Sequence, residues 1–412
     1  MKVLIVSQYF WPENFRINDL AAELHLLGHD ITVLTGYPNY PEGNIYPEFL
    51  DKSKSYNNKY KGVDVIRVPI IPRGKNNWML VANYLSYIVS ASLFGVWRLR
   101  KINFDIIFVF EPSPITVGIP AILLKKIKRA PIIFWVLDLW PETLQMLGIV
   151  KSKFSISLIS YIVRFIYKRC DLILGQSNGF VNRISKYCQN YDNIKYFPSW
   201  AEDLYLNDSN TIAPEIEYRK DFFNVLFAGN IGQAQDFPAI LDAAENLKEE
   251  KVRWLILGNG RLYNWVHEEI KRRGLESSVL LLGQFPTERM PSFYKHAQAL
   301  LVSLKSDNFL SLTIPAKVQS YLVSGIPIVG MLDGDGAKVI KEAKAGIVCS
   351  AGDGLCLSNA IRNMLSMTPS QRDKMVISGK KYAHKEFDRS TLIMRLESWM
   401  IEYSNKDISR KI

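Results

Sequence analysis

The stretch that decides the fold is N-V-L-F-A-G-N-I-G-Q-A-Q-D-F-P-A-I-L-D, residues 224–242. Val225, Leu226 and Phe227 form a short apolar run. Gly229, Asn230 and Gly232 break it. From Asp236 a helical period takes over, with Pro238 in its first turn and Ile240, Leu241 and Ala244 on one face. That order is a strand, a glycine turn and a helix N-terminus. Glycine lets a backbone approach a ligand closely, and free N–H groups at a helix start favour a phosphate. An ordinary βα turn has the same pattern, so the rest of the chain must decide.

Working outward, the alternation repeats. After 224–228, apolar strands are predicted at 252–257, 278–282, 299–304, 326–331 and 346–349, with helices between them. The first half reads likewise. Strands are predicted at 2–7, 31–35, 63–68, 105–110, 131–136, 171–175 and 193–197, and helices at 18–27, 115–127, 152–168 and 179–188. Short buried strands alternating with helices imply parallel sheets. The polar, irregular stretch 198–221 reads as a boundary. The fold class is therefore α/β, with two doubly wound, Rossmann-like domains at 1–200 and 201–388, and a C-terminal helix in 389–412. Such sheets bind ligands at the carboxyl ends of their strands, and two of them facing each other make a cleft.

Composition narrows the function. Residues 1–200 carry 24 Lys and Arg against 14 Asp and Glu, whereas the remainder is nearly balanced, at 27 against 26. A basic first half points to an anionic partner or simply to a solvated basic surface. Cys170, Cys188, Cys349 and Cys356 form no C-x-x-C pair, and the five histidines have no ligand spacing, so no metal is expected and a reducing cytosol fits. Residues 1–7 read as a strand, not a signal peptide. Residues 36–47 form a Pro/Tyr/Asn loop, and 52–61 are polar, with Lys52, Lys54, Lys59 and Lys61. Residues 78–97 hold no charge and are followed by Arg98, Arg100 and Lys101. Their length reaches the minimum for a membrane span. Asn83, Ser86, Ser90 and Ser92 interrupt them, which favours a buried helix with one lipid-facing edge.

Candidate chemistry collects after strand ends. In the second half these places hold Gly229, Asn230 and Gly232, then Gly258 to Gly260, then Lys305, then Thr313 and Pro315 leading into a helix with Lys317. Together they would suit one anionic group, although Lys317 alone reads better as an exposed helix lysine and Lys305 as a loop lysine. In the first half a strand runs into D-L-W-P-E, with Asp138 and Glu142. Asp138 is a candidate general base or sugar-hydroxyl partner. It reads equally as the cap of the next helix, with Glu142 in that helix's first turn.

These stretches together resemble glycosyltransferase family 4 of the GT-B fold, over essentially the whole chain. The resemblance narrows toward the WbuB-type L-fucosamine transferases of O-antigen and capsule synthesis. The segments that carry it are F-W-P-E-N-F-R-I-N-D-L-A-A-E-L at 10–24, T-G-Y-P-N-Y-P-E-G at 35–43, D-L-W-P-E at 138–142, F-P-S-W-A-E-D at 197–203, F-A-G-N-I-G-Q-A-Q at 227–235, L-T-I-P-A-K-V-Q-S-Y at 312–321 and L-D-G-D-G-A-K-V-I at 332–340. The resemblance implies a nucleotide-sugar donor held mainly by the C-terminal domain, retention of configuration, no metal or other cofactor, and a last helix crossing back to the N-terminal domain. With the strand-end candidates Gly258, Lys305, Thr313 and Lys317, the positions that match the family's motifs, Gly229, Asn230, Gly232, Gln235 and Ser320, make up the expected donor side, and Glu13, Asn14, Arg16, Tyr37 and Asn39 the expected acceptor side. The chain departs from the family in several places. Pro12-Glu13-Asn14 stands where many members have Gly-Gly, and Leu137 where many have His. Asn230 and Gln235 replace the diphosphate-binding Arg and Lys. Leu312 and Ser320 replace the paired glutamates, so ribose recognition is arranged differently. Lys305 and Lys317 are the candidates to compensate.

The implied reaction moves a sugar from a UDP-sugar, with N-acetyl-L-fucosamine or a similar N-acetyl deoxyhexosamine the best match. Helix N-termini and lysines would stabilise the leaving diphosphate, and closure would exclude water. The implied acceptor is a saccharide on a polyprenyl diphosphate, at the inner face of the bacterial cytoplasmic membrane, with peripheral attachment to an anionic surface through 78–101 and 154–169. The alternatives are a GT-B sugar-nucleotide epimerase and a catalytically silent membrane or lipid-carrier binder. A nucleic-acid partner lacks any recognisable module, and a dinucleotide dehydrogenase lacks its glycine fingerprint.

Overall fold

A computed structural model of the chain describes residues 1–50, 59–74, 76–146, 148–188, 191–205, 211–219 and 221–409. The expected polar stretch 52–61 falls largely on 51–58, outside the described residues. The chain divides into two compact units, Met1–Pro198 with Ser390–Ile412, and Ser199–Arg389.

The first unit is built on eight strands: β1 (Lys2–Val6), β2 (Asp30–Gly36), β3 (Lys59–Tyr60), β4 (Val63–Val68), β5 (Ile106–Glu111), β6 (Ile132–Val136), β7 (Leu172–Gly175) and β8 (Ile194–Tyr196). Their order is β3-β4-β2-β1-β5-β6-β7-β8. All neighbours pair in parallel except β3 with β4. β3 is a two-residue antiparallel edge that the sequence reading missed, being too short to show a period. The central strands are apolar on both faces, since helices cover both, and β5 and β6 are buried at every position.

The helices of this unit are α1 (Arg16–Leu26), α2 (Asn77–Ser90), a π-helical turn at Ala91–Gly95, α3 (Val96–Leu99), α4 (Gly118–Lys128), α5 (Glu142–Met146), α6 (Lys153–Tyr167) and α7 (Asn178–Ser185). α4 packs against both the π turn and α6. A Cβ at Gly118 would lie 2.6 Å from Ile166 and 2.9 Å from Phe134, so glycine sets that approach. α15 (Arg389–Ser409) returns to this unit. His29 meets Glu397 at 2.8 Å, and the Phe197 and Trp399 rings lie 6.0 Å apart.

The continuous helix Asn77–Leu99 corrects an expectation. It is long and apolar enough to cross a membrane, yet only 28% of its apolar window is buried. Its polar residues face inward. The Asn83 amide donates to the Ile71 carbonyl at 2.6 Å and accepts from Gln8, and Ser90 is buried. Most of its large apolar residues face outward, with Trp78 85%, Leu93 63% and Trp97 61% exposed, while Tyr87 and Leu99 are buried. The helix is inside-out relative to a soluble surface helix, not a buried helix interrupted by serines.

The second unit has β9 (Phe223–Ala228), β10 (Val252–Leu257), β11 (Val279–Gly283), β12 (Ala299–Ser303), β13 (Ile328–Met331) and β14 (Gly346–Cys349), in the order β11-β10-β9-β12-β13-β14, all parallel. The helices are α8 (Phe237–Asn246), α9 (Tyr263–Arg272), α10 (Met290–Tyr294), α11 (Ala316–Val323), α12 (Gly334–Glu342), α13 (Gly354–Ser366) and α14 (Pro369–Glu386). Phe227, Phe237, Ile240, Trp254, Ile256 and Leu357 belong to one buried cluster on one face of this sheet. The order reverses between β9 and β12, so the carboxyl end of β9 is a topological switch point, where a ligand is expected.

Candidate functional site

In the second unit the loop after β9 passes Gly229 (φ +145°) and meets Gly258 (φ +139°) after β10. A Cβ on Gly258 would fall 1.8 Å from the Gly229 carbonyl oxygen. The glycines are therefore required first by each other, backbone against backbone. The N–H groups of Gly229, Ile231 and Gly258 are consumed by the carbonyls of Leu257, Asn259 and Gly283, at 2.9, 2.9 and 2.7 Å. This corrects the simple phosphate-nest reading of the turn. A 3-10 turn at Gln233–Gln235 also separates the glycines from α8. A Gly258→Ala change is expected to cost about 3 kcal/mol. The thermal midpoint of this unit should fall by about 6–12 °C, as calorimetry would record.

Lys317 reaches this turn from the first turn of α11. Its ammonium lies 3.8 Å from the Phe227 ring centroid and would be 2.5 Å from a Cβ on Gly229. Burial pushes its pKa down to about 7. No side chain caps the start of α11, which follows Pro315, and the helix dipole there adds partial positive charge. Gln235 turns a buried side-chain oxygen, with no hydrogen-bond partner, toward Gly232, a group that a polar ligand would satisfy. Asn230 is exposed at the rim.

Three donor-side candidates behave differently. Lys305 is exposed, its backbone N–H donating to Ala234 at 2.8 Å and its charge facing Asp236. The Thr313 hydroxyl donates to the Leu310 carbonyl at 2.8 Å. Ser320 is buried, and its hydroxyl donates within α11 to Ala316 at 3.2 Å. Ser320 thus serves its own helix, and Lys317 is the cation that meets the glycine turn.

In the first unit Asp138 lies two residues beyond β6. Its carboxylate accepts from the Thr143 hydroxyl. Burial pushes its pKa above the usual carboxylate range, while Thr143, Ser113, the Trp140 indole and the Leu139 N–H pull it back. Ser113 carries a strained φ of +117°, and its hydroxyl accepts from the Trp140 indole at 3.2 Å. Strain held in place by surrounding contacts marks functional sites. Arg73 donates to the Tyr9 hydroxyl at 2.9 Å. Burial raises the Tyr84 phenol, which faces Arg73, Ser113, Asp138 and Tyr9. Glu111, the last residue of β5, is fully buried; burial first, then the Asp138 charge, pushes its pKa far up. Tyr9, Arg73, Tyr84, Glu111 and Ser113 were not singled out from sequence. The available signal for Tyr9, Arg73 and Ser113 was their place beyond the ends of β1, β4 and β5, and for Glu111 its place as the last residue of β5; Tyr84, inside α2, had no such signal.

Glu142 is a correction. It starts α5, but its carboxylate accepts from the Arg183 guanidinium and from the Tyr187 hydroxyl at 2.8 Å. That ion pair ties α5 to α7, and Asp138 is the carboxylate left facing the polar group. The acceptor-side candidates also separate. Glu13 is buried and latches two loops, accepting from the N–H groups of Asn39 and Tyr40 at 2.8 Å each; burial lifts its pKa to about 7. Asn39 is fully buried, accepts from the Arg73 N–H at 2.9 Å and donates to the Tyr37 carbonyl at 3.0 Å. Glu13 and Asn39 therefore hold the loop that carries Arg73, with Tyr37 as a backbone acceptor. Asn14 is exposed, and Arg16 is half-buried at the start of α1. Among the described residues no three His, Cys, Asp or Glu side chains gather as a metal site.

Comparison with known proteins bears on both units. Residues 14–200 match the glycosyl transferase 4-like domain family, and residues 223–367 match the glycosyl transferases group 1 family. WcaI of Escherichia coli K12, assigned to colanic acid biosynthesis as a glycosyl transferase, is 21% identical over 95% of this chain and 98% of its own. Anabaena HepE, solved with UDP and glucose, superposes with a TM-score of 0.66 at 14% identity, covering 97% of this chain and 99% of its own. WaaG, a glycosyltransferase involved in lipopolysaccharide biosynthesis, superposes with a TM-score of 0.66 at 13% identity, covering 97% and 99%. The chain is a glycosyltransferase of the GT-B fold, a 4-like domain followed by a group 1 domain.

Proposed function

We propose that this transferase moves a sugar from a UDP-sugar to a saccharide on a polyprenyl diphosphate, at the inner face of the cytoplasmic membrane, in O-antigen or capsule synthesis. The observation that carries the acceptor reading is the inside-out helix Asn77–Leu99. One helix brings Tyr84 to the Asp138 group and turns Trp78, Val81 and Leu85 outward. An acceptor with a sugar at one end and a lipid at the other suits such a helix. The exposed apolar residues of α6, Phe154, Leu158 and Tyr161, add to the lipid-facing surface.

The donor reading rests on the second unit. Lys317 and the uncapped start of α11 meet the β9 turn, the place where a diphosphate finds charge-assisted partners. These groups stabilise the nucleoside diphosphate as it leaves, without a metal ion. In the first unit Asp138 orients an acceptor or donor hydroxyl, and Tyr84 and Arg73 line its approach. Transfer with retention, and N-acetyl-L-fucosamine or a related N-acetyl deoxyhexosamine as the sugar, follow the family resemblance.

Calorimetry with UDP, GDP and a panel of their N-acetyl sugars is the direct test. The expected result is UDP binding strengthened by one N-acetyl sugar, which then serves as donor with lipid-linked acceptors. GDP preference would redirect the sugar assignment. Failure of every nucleotide to bind would remove the donor reading.

A further inference from the structure

The candidate site lies at the carboxyl edge of the first unit's sheet. The opposite edge holds a cavity of about 740 Å³. It opens at the starts of β6, β7 and β8, where Pro131, Asp171 and Asn193 line it. Strands rise about 3.3 Å per residue, so the length of β6 separates this edge from Asp138. The cavity belongs to a different site.

Six cations line it: Lys125, Lys126, Arg129, Lys168, Arg169 and Lys406. They come from α4, α6 and α15. Some serve local structure. The Lys125 ammonium donates to the Arg169 carbonyl at 2.9 Å and pairs with Asp171. Lys406 pairs with Glu402 at 2.6 Å. Among the described residues Asp171 is the only carboxylate on the lining, and it is occupied by Lys125 and by the Ile132 N–H at 2.7 Å. Cations at helix C-termini are ordinary, but helix ends alone do not explain six around one cavity. Lys126 and Lys168 are exposed and form no ion pair among the described residues. Arg129 takes a left-handed φ of +53° at the C-cap of α4, a place where glycine would be unstrained.

The surroundings identify the ligand. The Arg169 guanidinium lies 3.5 Å from the centroid of the exposed Phe165 ring, and Leu123 and Ile127 are exposed on α4. Helices α3, α4 and α6 all end at this edge. Their apolar sides are exposed, and their ends carry Arg98 and Arg100, Lys128, and Lys168 with Arg169. Lys128 donates to the Arg100 carbonyl at 3.0 Å, which joins the α3 and α4 ends into one basic rim. A phosphate at that rim, attached to an acyl chain along the apolar helices, satisfies both chemistries.

We infer that this cavity is a binding site for the phosphate headgroup of an anionic phospholipid, separate from the catalytic groups. The choice of a lipid rests on the membrane reading above, whereas the position of the site does not. It would hold the enzyme on the bilayer at a defined edge of the sheet and leave the carboxyl edge free for the acceptor.

The test is flotation of the full-length protein with phosphatidylcholine vesicles, with and without phosphatidylglycerol. Each Lys near an anionic surface contributes about 1 kcal/mol, so Lys126→Gln with Lys168→Gln should lower partition onto anionic vesicles about 30-fold. UDP binding should be unchanged. Lys151→Gln with Lys153→Gln, at the other end of α6, removes the same charge and should lower partition several-fold less. Equal losses in the two doubles would mean diffuse attraction and overturn the site. Leu93→Ser with Trp97→Ser separates the two readings. If that pair leaves binding intact while the cavity pair abolishes it, the headgroup site stands and the apolar docking face fails. If wild-type protein floats with neither vesicle, but inorganic pyrophosphate raises its melting temperature and not that of the cavity pair, the lipid assignment is overturned in favour of a soluble phosphate.

Discussion

Replacing Lys317 by Met is expected to weaken UDP-sugar binding about 10- to 150-fold while raising the melting temperature of the free protein. The first effect is the loss of a charge-assisted hydrogen bond, about 1.5–3 kcal/mol. The second follows from burial, which holds the Lys317 ammonium down at about 7. The folded protein therefore carries a cost for this charge. That cost is fully present below about pH 7 and is relieved as pH rises toward the unfolded lysine value of about 10. Met has similar length and no charge, so the free variant loses the cost. A residue that weakens the fold and strengthens binding is the pattern of a functional site.

The same shift sets the pH dependence of binding. A diphosphate selects the ammonium form. Above about pH 7 each binding event must take up a proton. The dissociation constant should then rise toward tenfold per pH unit, until the pKa of the bound form is reached. A UDP-sugar is the right probe, because its diphosphate is a diester and does not itself titrate near neutrality. Calorimetry from pH 6 to 9, in buffers of different ionisation enthalpy, reads both the slope and the proton uptake. In Lys317→Met both should vanish. A wild-type affinity flat across that range would remove Lys317 from the diphosphate.

Asp138→Asn is expected to lower kcat/KM about 10²- to 10⁴-fold, the range for losing a positioned proton acceptor. The carboxylate form is the active one, and burial places its pKa above the ordinary Asp range. Wild-type activity should therefore fall as pH drops through that raised value. The variant's residual activity should lack the acid limb. Asn keeps an acceptor for the Thr143 hydroxyl, so folding should survive. Glu111→Gln is the control. Burial and the Asp138 charge push the Glu111 pKa well above the usual carboxylate range, which favours its neutral form, so a neutral amide there should leave the limb in place. Normal turnover by Asp138→Asn would end the assigned role.

Much of the architecture was legible residue by residue. The predicted strand at 63–68 is β4, and that at 346–349 is β14. The first alternates, V-D-V-I-R-V, and the second is a short apolar run, and both patterns are local information. Asp138 was legible as a carboxylate at a strand end, but its status was not. Asp138 and Glu142 are four residues apart and read alike. Arg183 and Tyr187, more than forty residues onward, occupy Glu142 and leave Asp138 facing Ser113 and Tyr84. The helix at 77–99 shows the limit differently. Its composition marks it as apolar, whereas the sense of its face depends on Gln8 and Ile71 claiming Asn83 for the inside.

The sequence by itself determined two α/β units, their parallel strands and the loops after strand ends where chemistry collects. Period, glycine and proline act over a few residues, and that is enough to specify them. Only the tertiary structure decided that Glu13 and Asn39 are loop latches, that Lys317 rests half-buried against Gly229, and that six cations from the ends of three helices share one cavity. Burial, ion pairing and charge density depend on which distant groups meet. Those meetings arise from the packing of whole elements, and no local pattern in the chain encodes them.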